Sequence, residues 1–134
     1  MARLHVVAVS AKLPAWAEAA CAEYAKRMPK GYEVRRIDAK RGRLRAALPK
    51  GTRIVALDER GRDFTTAQFA ALLGTETAFL IGGADGLDES IKKEASLLLR
   101  LSSLTLPHAL AQVVLLEQLY RAASLRCGHP YHRG

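Results

Sequence analysis

The residues with the most chemistry to offer stand in three short stretches of the second half of the chain. The last of them, His129-Pro-Tyr-His132, sets two imidazoles and a phenol next to Arg133. Two histidines three residues apart, with no cysteine or acidic ligand at useful spacing, do not make a zinc site, and no metal is expected. Stacking on a base and contacting a phosphate suit this tail better, as recognition of single-stranded RNA requires. A terminus without fixed structure is the plainer alternative.

The second stretch is Leu101-Ser-Ser-Leu-Thr-Leu106. Leu101, Leu104 and Leu106 could enclose a flat heterocycle while Ser102, Ser103, Thr105 and the backbone read its polar edge. Gly82 and Leu57 end neighbouring predicted strands and would line the same crevice. Equally, the leucines could be core and the serines turn formers. The third stretch, Ile81-Gly-Gly-Ala-Asp-Gly-Leu87, puts glycines at the carboxyl end of a strand, where backbone can approach a ligand closely. It is neither the GxGxxG fingerprint nor a GK[ST] phosphate loop, so a purely structural turn fits it as well. His5, in a strand, and His108, beside Pro107, read as structural histidines. No Ser, His, Asp order, reactive cysteine environment or Walker sequence is present, which speaks against hydrolase and phosphoryl-transfer chemistry.

Something must position these stretches. Ala109 to Arg126 contains no Gly or Pro and is rich in strong helix formers, which predicts a helix of roughly 27 Å. Its apolar residues, Leu110, Val113, Val114, Leu116, Leu119, Tyr120, Ala123 and Leu125, span more than half the circumference, so two partners should cover it. Its own domain is one; a second copy of the chain is the simplest other. Upstream, Leu4–Val9, Tyr32–Asp38, Arg53–Asp58 and Thr77–Ile81 read as strands, with Leu101–Leu106 a fifth strand or an extended loop. Glu59-Arg60-Gly61-Arg62 reads as the turn ending the third.

Between the strands, Pro14 opens a helix to about Met28, with Trp16, Ala20 and Tyr24 on its apolar face. Thr65-Thr-Ala-Gln68 is a capping box for a helix ending near Gly74. Asp88 can cap another from Glu89 to about Leu98. Five strands alternating with four helices predict a single α/β domain, residues 1–134, with a mostly parallel sheet and helices on both faces.

The 134 residues can bury a core without staples. Twenty-one Lys and Arg against thirteen Asp and Glu leave a net charge of +8, the balance of a nucleic-acid binder. The cations are densest at Arg35, Arg36, Lys40, Arg41, Arg43, Arg45 and Lys50, with Asp38 the one acid among them, and such a cluster should attract phosphates. Cys21 and Cys127 form no CxxC pair and read as free, buried thiols of a reducing compartment. Neither a signal peptide nor a membrane span is legible, because each apolar run is short or interrupted by charge. A cytoplasmic protein is expected.

Taken together, Ile81-Gly-Gly-Ala-Asp-Gly-Leu87, Leu101-Ser-Ser-Leu-Thr-Leu-Pro-His108, Glu117-Gln-Leu-Tyr-Arg-Ala122 and His129-Pro-Tyr-His132 resemble the ribosomal RNA large subunit methyltransferase H family, within the SPOUT class. Ala8-Val9, Lys12 and Trp16 fit as well. The resemblance implies a C-terminal trefoil knot, a homodimer packed through helices including the last, and S-adenosylmethionine as cofactor. It also implies methyl transfer to N3 of a pseudouridine in large-subunit ribosomal RNA on the assembled ribosome. Carried over by motif, Leu57, Gly82 and Leu101, Ser102, Ser103, Leu104, Thr105 and Leu106 would contact the cofactor. His129, Tyr131, His132 and Arg121 would stand on the substrate side, with His132 or His129 as base and a nearby arginine steadying charge. The chain departs from the family in two ways: the segments between the second and third strands and between Leu73 and Thr77 are short, and Ser10 stands where Gly is usual. A catalytically silent RNA- or ribosome-binding protein on the same fold, or an enzyme using another nucleotide, are the competing expectations.

Overall fold

Thr77–Ile81 (β4) is buried at every position, as a continuous apolar run in the middle of a parallel sheet must be. Around it the computed structural model describes residues 2–9, 12–40, 42–83 and 85–133. Ser10, Arg41 and Ala84, each drawn on above, lie outside the described residues. In chain order the elements are β1 (Ala2–Val9), α1 (Ala15–Lys26), β2 (Tyr32–Ala39), α2 (Leu44–Ala47) and β3 (Arg53–Asp63). Then follow α3 (Thr66–Ala71, with a 3-10 turn at Leu72–Gly74), β4, α4 (Glu89–Glu94), β5 (Leu97–Arg100) and α5 (His108–Arg126). The sheet order is β2-β1-β4-β3-β5 and every pairing is parallel, which confirms the expected α/β class.

Alternation along the strands sorts side chains into two cores. Leu4, Val6, Val55, Phe79 and Leu99 meet Cys21 of α1, Phe69 and Leu73 of the α3 region, and Leu115, Leu116 and Leu119 of α5. Val7, Ala56, Ala78 and Leu80 face the other way, onto Leu44 of α2 and Leu87 and Ile91 near α4. Helices therefore cover both faces, and each large apolar side chain buried this way stabilises the fold by about 1.5–3 kcal/mol. The predicted capping box is formed in full: Gln68 N–H donates to Thr65 Oγ1 at 3.1 Å, and Thr65 N–H donates to Gln68 Oε1 at 2.9 Å.

The structure corrects several expectations. The helix from Glu89 stops at Glu94, and Asp88 precedes it without a side-chain capping bond. Leu97–Arg100 leaves as the fifth strand, so Leu101–Leu106 is the extended loop and not a strand. Leucine favours helices in isolation, but here an unfilled parallel edge beside β3 claims the run. Glu59–Arg62 does not end β3. Leu99 pairs with both Leu57 and Arg62, so the strand bulges outward between them and resumes. Gly61 permits this, because a Cβ there would meet the backbone of Leu98 and Leu99 at 2.6–2.7 Å.

On α1 the buried residues are Ala17 and Cys21, while Trp16, expected on the inner face, is 57% exposed. Cys127 is exposed rather than buried, standing at the C-cap of α5. The basic cluster is less isolated than the sequence suggests: Arg35 pairs with Glu33, Arg36 with Glu18 and Arg45 with Glu94. Among the described residues no helix is long and apolar enough to cross a membrane.

Candidate functional site

In a parallel sheet every strand delivers its following loop to the same edge. At that carboxyl edge the loops after β4 and β5 and the outward bulge of β3 enclose a cavity of about 680 Å³, a size usual for small-molecule sites. Leu57, Gly82 and all of Leu101, Ser102, Ser103, Leu104, Thr105 and Leu106 line it. The structure thus gathers into one wall every residue proposed from the sequence for the cofactor side.

The turn after β4 is tight for a definite reason. Gly86 N–H donates to Gly83 O at 2.9 Å, and Gly86 adopts φ +76°. This folds the turn back onto Gly82, where a Cβ would lie 2.5 Å from the Gly86 carbonyl carbon. Leu101–Leu106 takes part in neither sheet nor helix, so its amides and carbonyls are left to turns, solvent or a bound molecule. Ser102 Oγ accepts from Leu104 N–H at 2.9 Å, which shapes the loop and turns Leu104, 75% exposed, outward.

Sequence reasoning missed the charged part of this cavity. Asp58, Glu59, Arg60, Asp85, Lys92 and Arg100 line it too, together with His108. Lys92 Nζ lies 3.1 Å from Asp58 Oδ1, and this contact, ahead of the cost of burial, raises the ammonium pKa. Arg100 makes a two-pronged pair with Asp63, whose carboxylate raises the guanidinium pKa. The position of Asp58, Glu59, Arg60 and Arg100 at the β3 bulge and the end of β5 was obscured because Glu59–Arg62 reads as a terminating turn. His108, read as structural, lines the cavity and meets Gln112 at 3.0 Å, whereas His5 is buried and meets Glu76 at 3.2 Å.

The C-terminal tail is ordered against α5. Tyr131 donates its hydroxyl to Glu117 Oε2 at 2.9 Å, with its ring 4.5 Å from that of Tyr120 and 4.8 Å from the Arg121 guanidinium. Burial first, then the bond to the Glu117 carboxylate, pushes its pKa up to about 12. Arg121 pairs with Glu117 at 2.8 Å and donates to His132 Nδ1 at 3.2 Å. His129 is exposed, its backbone N–H donating to Ser124 O at 2.9 Å. Arg121, Tyr131 and His132 therefore form one cluster, with Glu117 as an unforeseen member. They do not line the cavity of their own chain: its last lining residue on α5 is Ala111, and Glu117 and Arg121 stand six and ten residues beyond it, roughly 9–15 Å.

Among the described residues no group of three or more His, Cys, Asp or Glu converges to hold a metal ion. The cavity does fit an adenosyl amino acid. It offers a backbone-lined floor without side chains at Gly82 and Gly83, a leucine-rich rim for a heterocycle, and carboxylates for a cationic tail.

Comparison with known proteins bears on what that molecule is. The family model described as Predicted SPOUT methyltransferase matches residues 2–132. A ribosomal RNA large subunit methyltransferase H from Burkholderia thailandensis is 51% identical, with 98% of this chain and 99% of the relative covered. That alignment runs over 154 positions against 134 residues here, so the relative holds at least 20 that this chain lacks. Two solved structures share the fold. A probable methylase family protein from Haemophilus influenzae has a TM-score of 0.61 at 14% identity, covering 98% of this chain and 70% of that one. A SpoU methyltransferase from Streptomyces viridochromogenes, in complex with the cofactor AdoMet, has a TM-score of 0.53 at 14% identity, covering 95% and 58%.

Proposed function

We propose that this chain, which belongs to the ribosomal RNA large subunit methyltransferase H family of the SPOUT class, methylates large-subunit ribosomal RNA from S-adenosylmethionine. The observation that carries the reading is the single cavity in which Leu57, Gly82 and the Leu101–Leu106 loop converge. Its position at the β3 bulge and after β4 and β5 is the carboxyl edge at which a parallel sheet binds ligands. The SPOUT class brings with it the trefoil knot, which would thread the chain beside that loop, an exception to the usual avoidance of knots.

The specific reaction proposed is methylation of N3 of a pseudouridine, on the assembled ribosome and in the cytoplasm. When bound, S-adenosylmethionine supplies a methyl group carried on a sulfonium. The protein's part is largely positional, since transfer from such a donor demands in-line placement more than a strong nucleophile. The Leu101–Leu106 loop fixes the adenine end, while Asp58 and its neighbours favour a cationic tail. On the substrate side Tyr131 stacks, Arg121 and His132 steady negative charge, and His129, whose ring has no hydrogen-bond partner among the described residues, takes the imide proton.

The distance along α5 bears on assembly. Within one chain none of Glu117, Arg121, His129, Tyr131 and His132 lines the cavity. A homodimer packed through α5 would bring one subunit's tail over its partner's cavity. Support comes from exposed apolar side chains, Trp16 on α1 and Leu110 and Leu125 on α5, that a single chain leaves uncovered. Mass mapping of 23S ribosomal RNA from a deletion strain and its complemented parent tests the function. One pseudouridine should lose 14 Da on deletion (one CH₂, by the chemistry of methylation) and regain it on complementation. Identical methylation in both strains would refute the assignment.

A further inference from the structure

Glu117 gathers more donors than the stability of α5 calls for. Its half-buried carboxylate accepts from Arg121 Nη2 at 2.8 Å and Nε at 3.0 Å, from the Tyr131 hydroxyl at 2.9 Å and from Gln118 Nε2 at 2.8 Å. The helix is already anchored by Leu115, Leu116 and Leu119, all fully buried. An isolated i,i+4 ion pair on a helix surface contributes little, so this convergence has another consequence: it fixes the direction of the Arg121 fork.

That fork ends on His132. Arg121 Nη1 lies 3.2 Å from His132 Nδ1. A guanidinium has donors only and keeps its proton throughout the working range of pH, so Nδ1 must be the acceptor. In a neutral imidazole with Nδ1 accepting, the ring proton sits on Nε2.

We infer that Glu117 is a positioning residue that, through Arg121, holds His132 in its Nε2–H tautomer, so the tail offers substrate a hydrogen-bond donor and not a base at that ring. The inference rests on the reading of the tail as the substrate side. An imide anion spreads its charge onto the two flanking carbonyl oxygens, and a preset N–H aimed at one of them stabilises it without reorganisation. The proton acceptor is then a different group, the role given above to His129.

The test is nitrogen-15 NMR of the histidine side chains in the intact protein, with His132 signals assigned by their loss in His132→Asn. In the wild type, Nε2 should carry the proton. In Glu117→Ala, and more weakly in Glu117→Gln, which keeps the side-chain length, His132 should become a mixture of both tautomers. Methyl transfer should fall on the order of 10–100-fold in kcat, while affinity for S-adenosylmethionine, measured by titration, stays within twofold. A wild-type His132 protonated at Nδ1, or unchanged tautomer and kcat in both variants, would overturn the inference. The tautomer is read without any reaction, so failure of the methyltransferase reading and failure of the positioning role give different results. Should Glu117→Ala lose its helical circular dichroism, Glu117→Gln alone decides.

Discussion

Lys92 Nζ stands 3.1 Å from Asp58 Oδ1, and the pair ties α4 to the start of the β3 bulge across the wall of the cavity. With only 18% and 12% of these side chains exposed, the two charges face each other with little water between them. Replacing Asp58 by Asn leaves the Lys92 ammonium pointing at whatever cation enters. At an effective dielectric near 20, a unit charge several ångströms away is worth about 1–2 kcal/mol, roughly tenfold in affinity. Asp58→Asn should therefore weaken S-adenosylmethionine about tenfold by calorimetry and S-adenosylhomocysteine, which lacks the sulfonium charge, distinctly less. Equal weakening of both would show that Asp58 does not sense that charge.

Gly82 should tolerate no side chain. Its Cβ would meet Gly86 backbone at 2.5 Å, and no flexible group is present to yield. Gly82→Ala must displace the turn that floors the cavity, costing about 1–3 kcal/mol. Cofactor binding should fall to undetectable levels while the chain still melts cooperatively. Wild-type affinity in Gly82→Ala would mean that this turn does not contact the cofactor.

Tyr131 supplies a pH signature. Its pKa, raised from 10.0 to about 12, means that the folded state holds the phenolic proton more tightly than the unfolded chain does. The stability this contributes is fully present below pH 10 and is lost as pH rises through about 12. Absorbance at the phenolate band should show a tyrosine step at about pH 12 that is absent in Tyr131→Phe. If Tyr131→Phe instead removes a step near the ordinary value of 10.0, the tail is undocked from Glu117.

If the tail serves a partner's cavity, defects must complement in trans. Gly82→Ala chains retain a sound tail, and Tyr131→Phe/His132→Asn chains retain a sound cavity. Mixed and re-equilibrated, they should form some heterodimers with one intact site, recovering activity to roughly a quarter of wild type, because random pairing makes half the dimers mixed and each holds one of two sites. No recovery, with exchange verified by mass spectrometry, would place tail and cavity of the same chain together.

Much of this architecture was legible from residues alone, for identifiable reasons. The bounds of β4 followed from its unbroken apolar run, the α3 start from Thr65 and Gln68, and α5 from eighteen residues without Gly or Pro. The errors share a cause: tertiary contacts decided what local pattern left open. Leu97–Arg100 became a strand because β3 offered an edge. Trp16 shares helical spacing with Ala20 and Tyr24, yet the stripe through Ala17 and Cys21 is the one that meets the sheet, and spacing alone cannot tell neighbouring stripes apart. Of the site, the cavity wall was legible from the Leu101–Leu106 run and the strand ends at Leu57 and Gly82, while the cofactor's identity came from motif resemblance. Glu117 was not singled out, because an acid four residues before an arginine looks like an ordinary surface pair. Only the return of Tyr131, fourteen residues later, gives it another meaning.

The central claim is that the bulge of β3 and the loops after β4 and β5 together hold S-adenosylmethionine, and calorimetric titration of the purified protein tests it most directly. One molecule bound per chain with micromolar affinity, and no comparable heat from ATP or NAD, is the predicted result. Absence of binding in a folded sample that still binds RNA, or preference for another nucleotide, would contradict it.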